Sequence, residues 1–133
     1  MHEPAPGTVS PLRVLVVDAD DRVRESLTGL LGIGHDVIVV GSAGEPGAAL
    51  ELVGTAAPDL VVIDPRLPEV DGGLAFIDRL RVAAPHVRVL VLGQTDCPDR
   101  EVLAARADGI VRKTFRPSEL VAAIVATCRQ PVR

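Results

Sequence analysis

Residues 60–73 read Leu60-Val61-Val62-Ile63-Asp64-Pro65-Arg66-Leu67-Pro68-Glu69-Val70-Asp71-Gly72-Gly73. The segment begins with an apolar run that is followed by an acid. Consecutive apolar residues rich in β-branched side chains are typical of a strand that is covered on both faces, as in a parallel sheet. The prolines and glycines that follow are typical of a loop. We therefore predict a buried strand that delivers the Asp64 carboxylate into a loop reaching Gly73.

Further apolar runs of the same kind are spread along the chain, at Leu12 to Val17, Asp36 to Val40, Val87 to Leu92 and Gly109 to Arg112. Amphipathic stretches with helix start and stop signals separate them, marked by Asp20 or Asp21 with Gly32 and Gly34, by Pro46, by Leu74, Ile77 and Leu80, by Pro98, and by Pro117. Strands that alternate with helices at this spacing predict five βα units, in which right-handed crossovers place helices on both faces of a parallel sheet.

Charged and small residues follow four of these strands. Asp18 comes after the first strand, Asp64 after the third, Gly93 after the fourth and Lys113 after the fifth. Strand ends of a parallel sheet meet at one edge, where ligands bind. Either aspartate taken singly is more often a helix cap or a solvated strand end. Two carboxylates in one crevice repel each other unless a cation such as Mg²⁺ lies between them, and with the lysine they indicate phosphoryl chemistry.

Composition narrows the function classes. The chain has 133 residues with 47% hydrophobic content, enough for one domain with a real core, and we predict a tail at 1–11, a domain at 12–130 and a short end at 131–133. A formal net charge of -4 argues against nucleic-acid binding, and no apolar run approaches the about 20 residues of a membrane helix. Cys97 and Cys128 lack metal-site or disulfide spacing, so we expect a cytoplasmic protein.

The chain from Leu12 to Arg129 resembles the receiver domains of bacterial two-component response regulators. The segments that carry the resemblance are Val14-Leu15-Val16-Val17-Asp18, Pro58 to Gly72, Lys113 with Phe115 and the helix start Pro117-Ser118-Glu119-Leu120, and Val39 to Gly44. This resemblance implies an α/β, flavodoxin-like, doubly wound sheet of five parallel strands in the order 2-1-3-4-5, a (βα)5 fold.

The resemblance also implies a signalling domain rather than an enzyme. Asp64 would accept a phosphoryl group from a histidine kinase or another phosphodonor. Mg²⁺ would be held by Asp18, Asp64 and the backbone carbonyl of Arg66, with Asp20 as an additional candidate ligand. Lys113 would contact the phosphoryl oxygens.

Four positions depart from the pattern of the family. Ala19 replaces a second acid, Gly93 a serine or threonine hydroxyl, Ile110 a switch aromatic, and Thr114 the proline after the lysine. One metal carboxylate is therefore missing, so Mg²⁺ is expected to bind weakly, and the usual relay of the signal is absent.

Three hypotheses stay open from the sequence. The first is an atypical single-domain receiver, phosphorylated at Asp64, whose output is a protein–protein contact. The second is a receiver-like interaction module that works without phosphorylation. The third, less favoured, is a haloacid-dehalogenase-like phosphohydrolase using Asp18 and Asp20.

Two groups of residues, an arginine face and a helix of small residues, are candidates for contacts with partners. Each has an ordinary alternative: a solvated charged rim for the arginines, and simple helix propensity for the alanines. The arginines are Arg100, Arg106, Arg112 and Arg116, and the small residues are Ala122, Ala123 and Ala126. The partners expected there are a downstream protein and, for the alanines, a second copy in a homodimer.

Overall fold

The computed structural model describes residues 10–67, 69–93, 106–112 and 116–130. Its strands are β1 (Leu12–Val17), β2 (Val37–Ala43), β3 (Leu60–Ile63), β4 (Arg88–Gly93) and β5 (Gly109–Arg112), and its helices are α1 (Asp21–Leu31), α2 (Pro46–Ala56), α3 (Val70–Ala83) and α4 (Pro117–Arg129). The strands form one parallel sheet in the order β2-β1-β3-β4-β5, which confirms the predicted flavodoxin-like fold. The helix predicted after Pro98 lies outside the described residues.

The sheet separates two apolar clusters, because successive strand residues point to opposite faces. On one face, strand residues such as Leu15 and Val61 pack with residues of α2 and α3. On the other face, Val14 and Val62 pack with residues of α1 and α4. All four residues of β3 are fully buried, so an unbroken apolar run is what this strand requires.

The ends of α1 follow the signals in the sequence. The Asp20 carboxylate accepts hydrogen bonds from the backbone N–H groups of Arg22 and Val23, which makes it the N-cap, and Gly32 is the C-cap. Pro46 is the first residue of α2, as its fixed φ and missing N–H favour.

Two predicted boundaries were wrong by more than one residue. Strand β2 continues to Ala43 rather than ending at Val40, because a register shift lets it pair with β1 up to Val17. Helix α3 begins at Val70, so the predicted loop does not reach Gly73. The backbone N–H groups of Gly72 and Gly73 donate to the Glu69 carbonyl at 3.0 and 3.3 Å, within the first turn.

The two glycines in this turn allow it to lie against the loop that follows Asp64. A Cβ at Gly73 would overlap the carbonyl of Pro65, and one at Gly72 would overlap the carbonyl of Leu67. Both obstacles are backbone atoms, which cannot turn aside as a side chain can. The glycines therefore fix the path of the loop beside the acid.

Among the described residues, none of the helices combines the length and the apolar character needed to span a bilayer.

Candidate functional site

Asp18 and Asp64 leave the sheet side by side. They directly follow Val17 and Ile63, which are partners in the β1–β3 ladder, and the Asp64 N–H donates to the Val17 carbonyl at 3.0 Å. The Asp18 N–H donates to the Ala43 carbonyl at 3.1 Å, which ties it to β2 as well. Neighbouring strands lie about 4.8 Å apart, so the two acids are close neighbours. Only 3% of Asp18 and 5% of Asp64 is exposed.

Each carboxylate is oriented by the backbone two residues further along. Asp18 Oδ1 accepts from the N–H of Asp20 at 2.8 Å, and Asp64 Oδ1 accepts from the N–H of Arg66 at 3.0 Å. This is the Asx-turn geometry that short acidic side chains favour at the start of loops. The two acids therefore hold matching orientations at the carboxyl edge of the sheet.

Arg66 also brings its side chain to the same oxygen. Its Nε lies 3.8 Å from Asp64 Oδ1, and about half (48%) of the arginine side chain is exposed. The guanidinium therefore places a positive charge beside the Asp64 carboxylate.

Position 19 and position 20 contribute differently. Ala19 is exposed, and its side chain has no ligating atom. Asp20 is exposed too, and its Oδ1 accepts from Arg22 N and Val23 N at 2.9 and 3.3 Å. This oxygen is engaged in capping α1, which argues against the general-acid role that the phosphohydrolase alternative requires.

The oxygen atoms at this site are of the type that binds a hard cation, but the site carries less negative charge than one with three carboxylates. Asp18, Asp64 and the Arg66 carbonyl offer oxygen atoms, which Mg²⁺ prefers. Within the described ranges, no group of three or more His, Cys, Asp or Glu residues is placed to hold a metal ion. Carboxylate and carbonyl oxygens are the donors that Mg²⁺ prefers, but two carboxylates attract it less strongly than three would.

Gly93 ends β4 beside this site, in register with Arg112 of β5. A Cβ at Gly93 would lie 3.1 Å from Ile110 Cδ1 and 3.4 Å from Ile110 Cγ1. Ile110 is half-buried and packs on the α2 and α3 side of the sheet. The isoleucine therefore occupies the space into which a side chain at position 93 would extend.

Arg24 is a site neighbour that the sequence analysis missed. Its Nη1 donates to the backbone carbonyl of Asp18 at 2.8 Å, and its Nη2 forms an ion pair with the Asp21 carboxylate. The guanidinium lies over Gly44, where a Cβ would be 2.6 Å from Nη1. Nothing in the sequence distinguishes Arg24 from a solvated helix arginine except the glycine that follows β2.

The predicted arginine face is divided between the two ends of β5. Arg112 ends β5 at the carboxyl edge of the sheet, and Arg116 precedes α4; both are exposed. Arg106 precedes the strand at the opposite edge, where it forms an ion pair of 3.2 Å with Asp78 of α3. Lys113, Thr114 and Arg100 lie outside the described residues.

Asp108 is a buried acid that the sequence analysis did not single out. Its carboxylate accepts from Val89 N at 2.8 Å and from Arg81 Nη2 at 3.0 Å, and 7% of the residue is exposed. It lies at the amino end of β5, away from the other two acids, and joins α3 to the start of β4. Its role is structural.

Comparison with known sequences gives one consistent result. A family model described as the response regulator receiver domain matches residues 14–125. The transcriptional regulatory protein AruR of Pseudomonas aeruginosa is 42% identical over 113 residues, which are 82% of this chain and 46% of AruR. Response regulator MprA of Mycolicibacterium vanbaalenii is 36% identical over 122 residues, 90% of this chain and 52% of MprA.

A protein-glutamate methylesterase/protein-glutamine glutaminase of Anaeromyxobacter dehalogenans is 35% identical over 113 residues, 84% of this chain and 31% of that enzyme. The chain therefore spans about a third to a half of the length of the curated relatives it matches.

Solved structures of response regulators superpose on this chain. The signal receiver domain of NarL from Mycobacterium tuberculosis superposes with a TM-score of 0.79 at 28% identity, covering 92% of this chain and all (100%) of that one. A LuxR-family response regulator from Aurantimonas sp. SI85-9A1 gives 0.76 at 32% identity, covering 90% of this chain and 86% of the other.

Proposed function

Because the chain belongs to the family of response regulator receiver domains of two-component systems, we propose that it is a phosphoacceptor with Asp64 as the acceptor residue. The observation that carries this proposal is the position of Asp64. It lies buried at the carboxyl edge of the sheet, next to Asp18, with Arg66 against one of its oxygens.

The phosphoryl step needs positioning and charge neutralisation more than it needs covalent help. An Asp64 carboxylate oxygen forms a bond to phosphorus. The bond from phosphorus to the donor breaks, and the donor leaves with the electron pair of that bond. The Asx turn to Arg66 N orients the carboxylate before the donor arrives. Lys113, carried over from the resemblance, would pair with the phosphoryl oxygens.

Receiver domains generally bind Mg²⁺ at the phosphorylation site. Here Asp18, Asp64 and the Arg66 carbonyl would hold the ion, and the bound ion would supply positive charge to the oxygens of the incoming group. Asp20 is a weak candidate as a further ligand, because its Oδ1 caps α1. Ala19 removes one carboxylate, so we propose that binding is weak.

The output is proposed to be a protein–protein contact. A hydroxyl at position 93 and an aromatic at position 110 are both missing, so an aliphatic contact stands where the usual relay would be. The exposed pair Arg112 and Arg116, near the phosphoacceptor edge, is the part of the predicted face best placed for a downstream partner. A histidine kinase is the proposed donor. The cytoplasm is the proposed compartment, and the free thiol of Cys128 suits a reducing environment.

A homodimer through α4 is the remaining proposal on partners. Ala122 and Ala126 are exposed on α4 and line a groove of about 630 Å³ together with Leu30 and Ile33. Analytical ultracentrifugation of wild type and Ala126→Glu would test it. A monomer for both proteins would contradict the homodimer.

Incubation with acetyl phosphate and Mg²⁺, followed by intact-mass measurement, tests the phosphoacceptor. Wild type is expected to gain one phosphoryl group and Asp64→Asn none. Asp71→Asn is the matched control, since Asp71 is an exposed acid in the first turn of α3. A wild type that gains no mass would contradict the proposal.

The absence of any phosphoryl mass on wild type would favour a second candidate function, an interaction module that works without phosphorylation. The pair Gly93 and Ile110 supports it, because these positions lack the hydroxyl and the aromatic of the usual relay.

A further inference from the structure

We propose that the Arg66 guanidinium is a built-in counter-ion of Asp64 that supplies part of the charge neutralisation a divalent cation would otherwise provide. The inference deepens the proposed function, on which it rests for the phosphoryl step. It assigns an electrostatic role to the side chain of Arg66, whereas the family resemblance concerns its backbone carbonyl alone.

Arg66 contacts Asp64 through two groups that converge on one oxygen. Its backbone N–H donates to Oδ1 at 3.0 Å, and its Nε lies 3.8 Å from the same atom. The Asp64 side chain is 7% exposed, so this interaction is less screened than one between two surface groups. The contact therefore holds the acceptor carboxylate in one orientation beside a positive charge.

The local charge balance shows what the contact compensates. Asp18 and Asp64 bring two negative charges to adjacent positions, and Ala19 adds none. Arg66 places a positive charge on one side of this pair. On the other side, the Arg24 guanidinium donates to the Asp18 backbone carbonyl at 2.8 Å. Arg24 is itself paired with Asp21, whereas the Arg66 guanidinium partly neutralises the pair and lowers its attraction for a divalent cation.

The same side chain suits the phosphorylated state. When Asp64 attacks acetyl phosphate, a carboxylate–phosphorus bond forms, the bond from phosphorus to the acetyl oxygen breaks, and acetate leaves with the electron pair. Negative charge then lies on the phosphoryl oxygens, which a planar guanidinium fork matches well. About half of the Arg66 side chain is exposed (48%), so it has room to turn from Oδ1 to these oxygens.

Mg²⁺ binding to the apo protein gives a readout independent of phosphorylation. The chain contains no Trp or Tyr, so isothermal titration calorimetry is the suitable method. Removing one positive charge a few ångströms from the ion is worth about 1 kcal/mol, so Arg66→Gln is expected to bind Mg²⁺ about fivefold more tightly. The control Arg79→Gln removes an exposed arginine of α3 and is expected to bind as wild type does.

The rate of phosphorylation by acetyl phosphate, followed by intact mass, is the second readout. At saturating Mg²⁺, Arg66→Gln is expected to react several-fold more slowly than wild type, and Arg66→Lys is expected to recover most of the rate. Tighter metal binding combined with slower transfer is a signature that a purely structural role for Arg66 would not produce.

An unchanged Mg²⁺ affinity in Arg66→Gln, or an unchanged rate at saturating Mg²⁺, overturns the inference. If wild type takes up no phosphoryl group, the proposed function fails, and the calorimetric comparison alone then decides whether Arg66 is the counter-ion of Asp64. Thermal unfolding of each variant verifies that it is folded.

Discussion

Ile110 lies so close to Gly93 that its Cδ1 would be 3.1 Å from a Cβ added there. The two positions lie diagonally across β4 and β5, since Gly93 is in register with Arg112 and Ile110 with Val91, beside the acids that the fold brings together. Each is unremarkable alone, since glycine at a strand end and isoleucine in a strand are common. Together they leave neither a hydroxyl at position 93 nor an aromatic at position 110, and Ile110 fills the space beside the glycine.

This contact predicts coupling between the two positions. Gly93→Thr is expected to lower the free energy of unfolding by about 1–2 kcal/mol, because the new side chain must displace Ile110. Ile110→Ala alone is expected to lower it by about 1–3 kcal/mol. The double variant should lose less than the sum, because the alanine leaves room for the threonine. Urea unfolding followed by circular dichroism measures the cycle, and additivity within about 0.5 kcal/mol would contradict the contact.

The glycines at the start of α3 predict a second pair of outcomes. Gly73→Ala is expected to lower the free energy of unfolding by about 3 kcal/mol, because its Cβ would overlap the Pro65 carbonyl, a backbone atom. Gly29→Ala is the matched control, since Gly29 lies in α1 with open space around it. This control should gain about 0.5–1 kcal/mol from helix propensity. Equal effects at the two positions in urea unfolding would contradict the proposed path of the loop.

The capping role of Asp20 can be separated from its role as a candidate metal ligand. Asn caps helices about as well as Asp but lacks the charge, so Asp20→Asn should unfold within about 0.5 kcal/mol of wild type. Asp20→Ala should cost about 1 kcal/mol, because the N–H groups of Arg22 and Val23 lose their acceptor. If Asp20 acts as a cap alone, both variants keep the Mg²⁺ affinity of wild type in calorimetry. A weaker affinity in Asp20→Asn would instead identify it as a ligand.

The thiol of Cys128 predicts a loss of stability at alkaline pH. Burial, with smaller contributions from Asp59 and Asp108, raises the pKa of this thiol from 9.0 to about 11. Well below pH 9 the thiol is protonated in both the folded and the unfolded chain, so its ionisation does not change the free energy of unfolding. Between pH 9 and 11 the unfolded chain loses the proton first, so the free energy of unfolding falls as pH rises.

The comparison of Cys97→Ala with Cys97→Ala/Cys128→Ala isolates this thiol, since the chain has two cysteines. Urea unfolding from pH 7 to 10.5 should show a steeper decline for the protein that keeps Cys128. Parallel pH profiles would mean that the thiol ionises equally easily in the folded and the unfolded chain.

Much of the fold was accessible from local patterns. Strand β3 is an unbroken apolar run because both of its faces are covered, and α1 begins after the acid that caps it. The boundaries that were missed depend on distant residues. Strand β2 extends to Ala43 because β1 offers partners that far, and α3 starts at Val70 because Gly73 tolerates a backbone carbonyl from the preceding loop.

By itself, the sequence determined that Asp18 and Asp64 each follow a buried strand, because the apolar run and the acid after it are contiguous in the chain. Tertiary structure alone decided that Val17 pairs with Ile63, which sets the two acids side by side, and that Ile110 packs over Gly93. It also decided which of the arginines reach the acids. These contacts depend on strand register and side-chain packing between residues distant in the chain, and no local pattern encodes either one.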